Sequence, residues 1–506
     1  MPIESFASAL ALIGIVILIA SLLSGAVERS GVPQVAIFLL VGAALGPSGL
    51  GLVELGLQSP ALQLIATLAL VLVLFSDAIG VDIGEIQQQR RLALLILGPG
   101  TLLPAALIAT AAWLLLGLSL PACAILGAAL ASTDPVLLRT LVRHPKLPST
   151  AKLALRLESG MNDVVLLPIV VLSMLALRSG GPTASGEVGR HAVGLFLLGP
   201  MLGALDGYIA ITLLDKVRAR MGVRRDYESI YALGVAFTAF AAAEAVGGSG
   251  FLAAFAAGLV IAALDVELCD CFLDYGEASA EMFLLLTFVA FGAGLIWSGF
   301  SVADSRVVAF ALVALAMRTA VLLPVLARSG IDRNSCRLIA FFGPRGLSSL
   351  LLVLLPVFAG IPGSEQLFAV TCLVVLLSVV LHGGGIAWWL TRKTASKSPV
   401  TSSVPVTPVP AAPSTPVAPS AAAATATAVG QTAPPESVPE RIAIAELRQL
   451  WKTDEPVVVA DVRTERSYRD DAKMADGAIR FPPDDAVRLA RERQLPKDAT
   501  IVLYCT

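Results

Sequence analysis

About thirteen runs of roughly 20 apolar residues fill the first 392 positions of this chain, and each is long enough to cross a bilayer as a helix. They lie near 6–25, 32–52, 60–80, 92–117, 121–142, 150–177, 191–214, 228–247, 249–265, 280–300, 304–328, 334–359 and 365–391. Hydrocarbon offers no partner to a backbone amide, so helices that satisfy their own backbone are the expected form. Only 15% of the 506 residues are charged, against about 25% in soluble domains. That leaves too little polar surface for a water-soluble fold. The net charge of −2 gives no support for nucleic-acid binding. The expected fold is an all-α polytopic membrane protein of about 13 transmembrane helices in residues 1–392.

Basic residues set the expected orientation. Arg90 and Arg91 follow the third run, and Arg139, Arg143, Lys146 and Lys152 the fifth. Lys216, Arg218, Arg220, Arg224 and Arg225 follow the seventh. Arg328, Arg333 and Arg337 follow the eleventh, and Arg392, Lys393 and Lys397 the last. Opposite loops hold few, such as Arg178 and Arg190. The positive-inside rule then puts the N-terminus outside and the C-terminus in the cytoplasm, with the inner cell membrane as the expected location. No basic stretch precedes the first run and Glu4 stands there, so it is read as a spanning helix rather than a cleaved signal.

Composition changes near residue 392. Residues 393–438 are rich in Pro, Ala and Thr and are expected to form an extended linker. A small α/β domain is expected over 439–506. Residues 441–447 read as an amphipathic helix, 457–462 and 501–504 as strands, and 483–494 as a polar helix. The chain ends at Thr506, before such a domain closes its core.

Two stretches break the apolar pattern: Ser132-Thr133-Asp134-Pro135 and Glu158-Ser159-Gly160-Met161-Asn162-Asp163. A carboxylate within a spanning run is costly and marks a functional position. Pro135 removes a backbone donor beside Asp134, as where a helix breaks and turns carbonyls inward to hold an ion. Asp163 and Asp134, with oxygens from Thr133 and Ser159, form a hard-ligand set suited to a dehydrated sodium ion. The same carboxylate can take a proton instead, and that competition is the simplest route to exchange. The plainer reading makes Asp134 a helix cap and puts Asp163 in a loop. Glu158, five residues before Asp163, falls on another stripe of a regular helix. Arg318 and Arg345 also lie in apolar runs and each needs an anion. Glu158 with Arg318 is the preferred structural pair, with Arg345 the second choice. Arg345 could instead snorkel from the end of its segment. Asp77 is either an accessory ligand on the access path or an interfacial residue. The histidines His144, His191 and His382 sit near segment ends and read as interfacial, and Asp206 and Glu244 receive no role.

Thr133-Asp134-Pro135, Glu158-Ser159 with Asn162-Asp163, and Gly343-Pro344-Arg345-Gly346 stand in the order and separation of a monovalent cation:proton antiporter. Across roughly residues 8–391 the chain resembles the branch that includes the NhaP-type sodium/proton exchangers. The resemblance implies an inverted repeat, broken core helices, a homodimer and an elevator-like motion of the core. It implies that Asp163 binds ion and proton, that Asp134, Thr133 and Ser159 are further ligands, and that Glu158 is salt-bridged. Asn162 stands where electrogenic relatives have a second aspartate, so electroneutral exchange is expected. Residues 458–463, 476–479 and 501–505 resemble a rhodanese-like domain with Cys505 at the position of its reactive cysteine. With the loop after Cys505 missing and Lys473-Met474 replacing the usual glycine-histidine, sulfurtransferase activity is not expected.

The expected activity is transport of Na+, with Li+ or K+ as alternatives, in exchange for H+. No cofactor is expected, and the partners are the two ions and the lipid bilayer. A potassium/proton antiporter regulated by a sulfur- or redox-sensing domain is an alternative. A channel or symporter would call for a filter-like repeat or a large polar lining, and neither is visible. A membrane-tethered sulfurtransferase would need only one span. The cysteines Cys123, Cys269, Cys271, Cys336, Cys372 and Cys505 read as small buried hydrophobes rather than a disulfide or zinc framework.

Overall fold

Side chains fix where these apolar runs begin as helices. Ser59 accepts the Leu62 amide at 3.1 Å and opens helix Pro60–Ile79, with proline at its first turn. Asp304 likewise accepts the Val307 amide at 2.7 Å and opens Ser305–Ala327, and Asp332 accepts the Ser335 amide at 2.9 Å and opens Arg333–Phe341. The computed structural model describes residues 33–386 except 54, 82, 143, 145, 146, 179–193, 222, 224, 265 and 330, together with 14, 17, 18 and 22 and parts of 457–504. The first apolar run lies mostly outside the described residues, as do the linker, helix 441–447 and Cys505.

The chain divides into two compact units, Met1–Thr394 and Ala395–Thr506. Among the described residues of the first, seven helices are long and apolar enough to cross a membrane. An eighth is counted if Ser279–Gly292 and Leu295–Ser301, bent by 56°, form one span. The expected thirteen are not all tested among the described residues, since the first run lies mostly outside them, and several other runs fall short by length or charge. Gln34–Leu45, Gly250–Leu264 and Leu347–Phe358 are shorter than a bilayer crossing, and Arg225–Ala245 carries Arg225, Asp226, Glu228 and Glu244. The run 334–359, expected as one span, is two helices, Arg333–Phe341 and Leu347–Phe358.

Helix packing uses small residues, as it must where hydrocarbon gives no hydrophobic drive to association. Gly199, Gly203 and Gly207 of helix Gly199–Met221 lie one turn apart. They touch the backbone at Ser249, Ala253 and Ala257, so a methyl at Gly203 would collide with the Ala253 carbonyl. The core is apolar and continuous around Leu120–Ala131, whose residues 122–131 are all buried except Ala124.

The second unit contains a three-stranded parallel sheet, β1 Val457–Asp461, β2 Ile479–Arg480 and β3 Thr500–Tyr504, in the order β2-β1-β3. Ala460 pairs with Ile479, and Val457 with Thr500. At the end of β1 the buried Asp461 is held by the Arg463 guanidinium at 2.7 Å. Burial opposes its charge, yet the bonds from Arg463 outweigh that and hold its carboxyl below the usual range.

Candidate functional site

Two interrupted helices meet at their breaks. Helix Leu120–Ala131 ends, Ser132–Asp134 run extended, and Pro135–Val142 begins. Pro135 lacks the amide a continuous helix needs and disfavours helical backbone at Asp134. The second break spans residues 342–346, between Arg333–Phe341 and Leu347–Phe358. The Asp134 amide donates to the Pro344 carbonyl at 2.9 Å and joins the breaks.

Asp134 then serves both half-helices that start there. Its Oδ1 accepts the Val136 amide at 2.8 Å and its Oδ2 the Leu347 amide at 2.9 Å. A negative charge is stabilised at such N-termini, where amides have no partner within the helix. Arg345 does the reverse at the C-terminal end of Leu120–Ala131. Its Nη1 donates to the Ala131 and Ser132 carbonyls, both at 2.8 Å, and to Thr133 Oγ1 at 3.2 Å. The two glycines of the second break make room for these groups. A Cβ at Gly343 would strike the Arg318 guanidinium, and one at Gly346 would strike Asp134 Oδ2.

Glu158 lies on the 30-residue helix Ser149–Arg178 and receives Arg318 in a forked pair, Nε to Oε1 at 2.6 Å and Nη2 to Oε2 at 2.5 Å. Both side chains are 3% exposed. Thr133 Oγ1 donates to Glu158 Oε1 at 3.0 Å, and Arg318 Nη1 donates to the Ala340 carbonyl at 2.7 Å. Each nitrogen of the Arg318 guanidinium therefore meets an acceptor, as a buried charge requires.

Five residues further along the same helix stands Asp163, fully buried. Its Oδ1 accepts a short hydrogen bond from the Ser132 hydroxyl, and Ser348 faces the same carboxylate. Its Oδ2 is buried with no hydrogen-bond partner. Neither polar atom of the neighbouring Asn162, also fully buried, has a partner. Asp77, half-buried on Pro60–Ile79, packs on Gly160, where a Cβ would stand 3.7 Å from its Cγ. The site thus holds one carboxylate oxygen and one amide group without hydrogen-bond partners.

The structure sorts the sequence candidates. Glu158, Asp163, Asn162 and Asp77 gather on or against one helix, and Ser132 joins Asp163. Asp134 has both oxygens on half-helix amides, the capping role that was the plainer reading. Thr133 belongs to the Glu158 network, and Arg345 binds carbonyls in place of a carboxylate. The Ser159 hydroxyl turns back to the Arg156 carbonyl at 3.4 Å, the common choice for serine within a helix. His382 is corrected: it is 5% exposed and bonded to Ser378, so it is a core residue and not an interfacial one. Ser132 stood in the first of the two stretches without a role, and Ser348 and Ser378 drew no attention because hydroxyls are common in apolar helices. Only their placement beside breaks distinguishes them. Among the described residues no cluster of His, Cys, Asp and Glu could hold a resident metal. Cys123, Cys336 and Cys372 are free and buried.

Residues 14–392 match the family described as sodium/hydrogen exchanger, transmembrane. The K(+)/H(+) antiporter NhaP2 of Shewanella sp. (strain ANA-3) is 26% identical over 380 residues, which cover 72% of this chain and 63% of that protein. The K(+)/H(+) antiporter NhaP of Alkalimonas amylolytica is 24% identical over 403 residues, 78% of this chain and 69% of the relative. This chain therefore spans a little under two thirds of the Shewanella relative's length. The sodium proton antiporter MjNhaP1 from Methanocaldococcus jannaschii at pH 8 shares the fold. Its TM-score is 0.61 at 19% identity, with 76% of this chain and 99% of that one covered.

Proposed function

The chain is a multi-pass membrane member of the sodium/hydrogen exchanger family, and from that premise we propose that it exchanges a monovalent cation for a proton at Asp163. The observation that carries this reading is the state of that carboxylate. It is buried within a spanning helix, one oxygen is held by Ser132, and the other has no partner. A buried carboxylate left ionised and unpaired is untenable, so a positive ligand must neutralise it. A cation and a proton both qualify, and they exclude one another.

In this mechanism Asp163 supplies the charge, and Ser132, Asn162 and a rotated Ser159 supply neutral oxygens. Asp77 stands beside the same stretch of helix as an accessory group. Asp134 and Arg345 hold the crossing half-helices, Thr133 links Asp134's strand to Glu158, and Glu158 with Arg318 ties the core together. Loaded with either ligand, the site carries no net charge and can move through the low-dielectric protein. Exchange is electroneutral, because Asn162 adds no second titrating group.

Sodium is the reading for the cation, with potassium the alternative favoured by two relatives named as K(+)/H(+) antiporters. The protein works as a homodimer in the inner membrane with its C-terminus in the cytoplasm. The unit 395–506 is a rhodanese-like module, a reading supported by its parallel strands and the Asp461–Arg463 pair.

The test uses purified protein in liposomes that contain a pH-reporting dye. Addition of Na+, Li+ or K+ to vesicles with an acid interior should move protons, and the Asp163→Asn variant should not respond. Wild-type protein that is correctly inserted and gives no proton movement with any alkali cation would overturn the proposal.

A further inference from the structure

The last long helix, Ser364–Ser378, widens into a π-helical turn over Val379–Gly383. Such defects often mark functional positions. At this one Ser378 is fully buried and His382 is 5% exposed. Ser378 Oγ accepts the Arg345 amide at 2.7 Å and lies 3.1 Å from His382 Nδ1. The imidazole packs on Phe341, ring centroids 6.0 Å apart and planes at 54°. The pair therefore touches both sides of the second break: Phe341 at the end of one half-helix, and Arg345 just before the other.

We propose that Ser378 and His382 are positioning residues for cation binding, holding the 342–346 break so that Leu347 and Ser348 stay aimed at Asp134 and Asp163. This rests on the reading of Asp163 as the transport site. The break is held at a few named points. The Pro344 carbonyl is bonded to Asp134, and the Arg345 guanidinium reaches across to Ala131 and Ser132. The Arg345 amide is the point where the last helix grips it. A displacement there is passed directly to the Leu347 amide on Asp134 Oδ2 and to Ser348 beside Asp163.

His382 sets the direction of the grip. Ser378 accepts from the Arg345 amide and keeps a proton and a second lone pair, so it pairs with Nδ1 in either imidazole tautomer. Without a partner at Nδ1, a helical serine hydroxyl turns to the carbonyl four residues earlier, here Val374, and its lone pair leaves the Arg345 amide. The buried, water-poor setting makes that single bond matter more than it would at a surface.

The imidazole nitrogen in use is Nδ1, which gives a discriminating experiment. Asparagine can place an amide group near the position of Nδ1, whereas glutamine places its own near Nε2. Full-length protein in lipid nanodiscs would be read by amide hydrogen exchange of residues 342–349, and the same variants in liposomes by cation-driven proton flux. Ser378→Ala and His382→Gln should expose the 342–349 amides to faster exchange. They should raise the cation concentration for half-maximal flux by roughly five- to tenfold, the worth of one buried hydrogen bond, with little change in maximal rate. His382→Asn should restore both readouts toward wild type. Equal behaviour of His382→Asn and His382→Gln would assign His382 to packing and overturn the proposal. Unchanged amide exchange in Ser378→Ala would overturn it too. If wild-type protein shows no flux, the functional reading fails by itself, and the amide-exchange arm still decides whether the pair holds the break.

Discussion

Gly346 leaves open the space that Asp134 Oδ2 fills on its way to the Leu347 amide. Glycine is needed here for clearance, because any side chain would occupy the carboxylate's place. Gly346→Ala should therefore push Asp134 off the second half-helix and leave a buried amide unsatisfied, at a cost of about 1–3 kcal/mol. Gly343→Ala should act on Arg318 in the same way. Gly234, around which a Cβ would meet nothing within 4 Å, is the control. Alanine there should be neutral or stabilising, since it favours a helix. Thermal unfolding in detergent separates the three, and equal melting of Gly346→Ala and Gly234→Ala would refute the clearance argument.

Glu158 and Arg318 should behave as one structural unit. Removing one member of a buried pair costs roughly 3–5 kcal/mol because the other charge is left uncompensated. Glu158→Ala should lower the melting temperature more than it alters apparent cation affinity. The double variant Glu158→Gln with Arg318→Met should melt higher than either single alanine variant, because coupled residues are not additive. A loss of affinity without a change in melting would instead make Glu158 an ion ligand.

The broad fold was legible because hydrocarbon length is a blunt constraint, and a run such as 60–80 has few ways to be anything but the helix Pro60–Ile79. Pro135 showed where one helix would be interrupted, since a missing amide acts locally, whereas the break at Gly343–Gly346 fell inside a run expected as one span. The use made of each carboxylate was less legible. Asp134 and Asp163 look alike in sequence, and what separates them is the Leu347 amide, 213 residues away, reaching Asp134 Oδ2. Likewise, Ser378 lies one helical turn before His382 and spacing alone places it there, but nothing near His382 in the chain announces Phe341. Contacts between breaks belong to tertiary structure, which periodicity does not encode.

Asp163 and Asp134 should fail differently when each becomes an amide. Asp163→Asn removes the charge that both cation and proton must neutralise, so exchange should vanish while melting changes little. Asp134→Asn keeps one acceptor oxygen and sets an NH2 group against a backbone amide, because two amides now bind two carboxylate oxygens. Its stability should fall, and cation affinity with it. Thr133→Ala should have a smaller effect than either, as it removes one hydroxyl from the Glu158 network. Flux assays paired with melting curves check this order, and residual exchange above a small fraction of wild type in Asp163→Asn would exclude it as the carrier.

Membrane potential provides the sharpest test of stoichiometry. Asn162 stands beside Asp163 with an uncharged amide that neither titrates nor needs a counter-charge. Two adjacent aspartates could take up two protons for each cation and so move net charge. One carboxylate takes one monovalent cation or one proton, and the loaded site then has the same charge on both legs of the cycle. A potential of 100 mV changes the energy of a moved elementary charge by about 2.3 kcal/mol, so a cycle carrying net charge could not miss it. In liposomes with matched ion gradients, a valinomycin-set potassium potential of either sign should leave sodium-driven proton flux unchanged. Acceleration by one sign and slowing by the other would mean that a second group titrates during the cycle. Asp77, packed against Gly160 beside the site, would be the first to substitute, because Asp134 already has both oxygens on backbone amides.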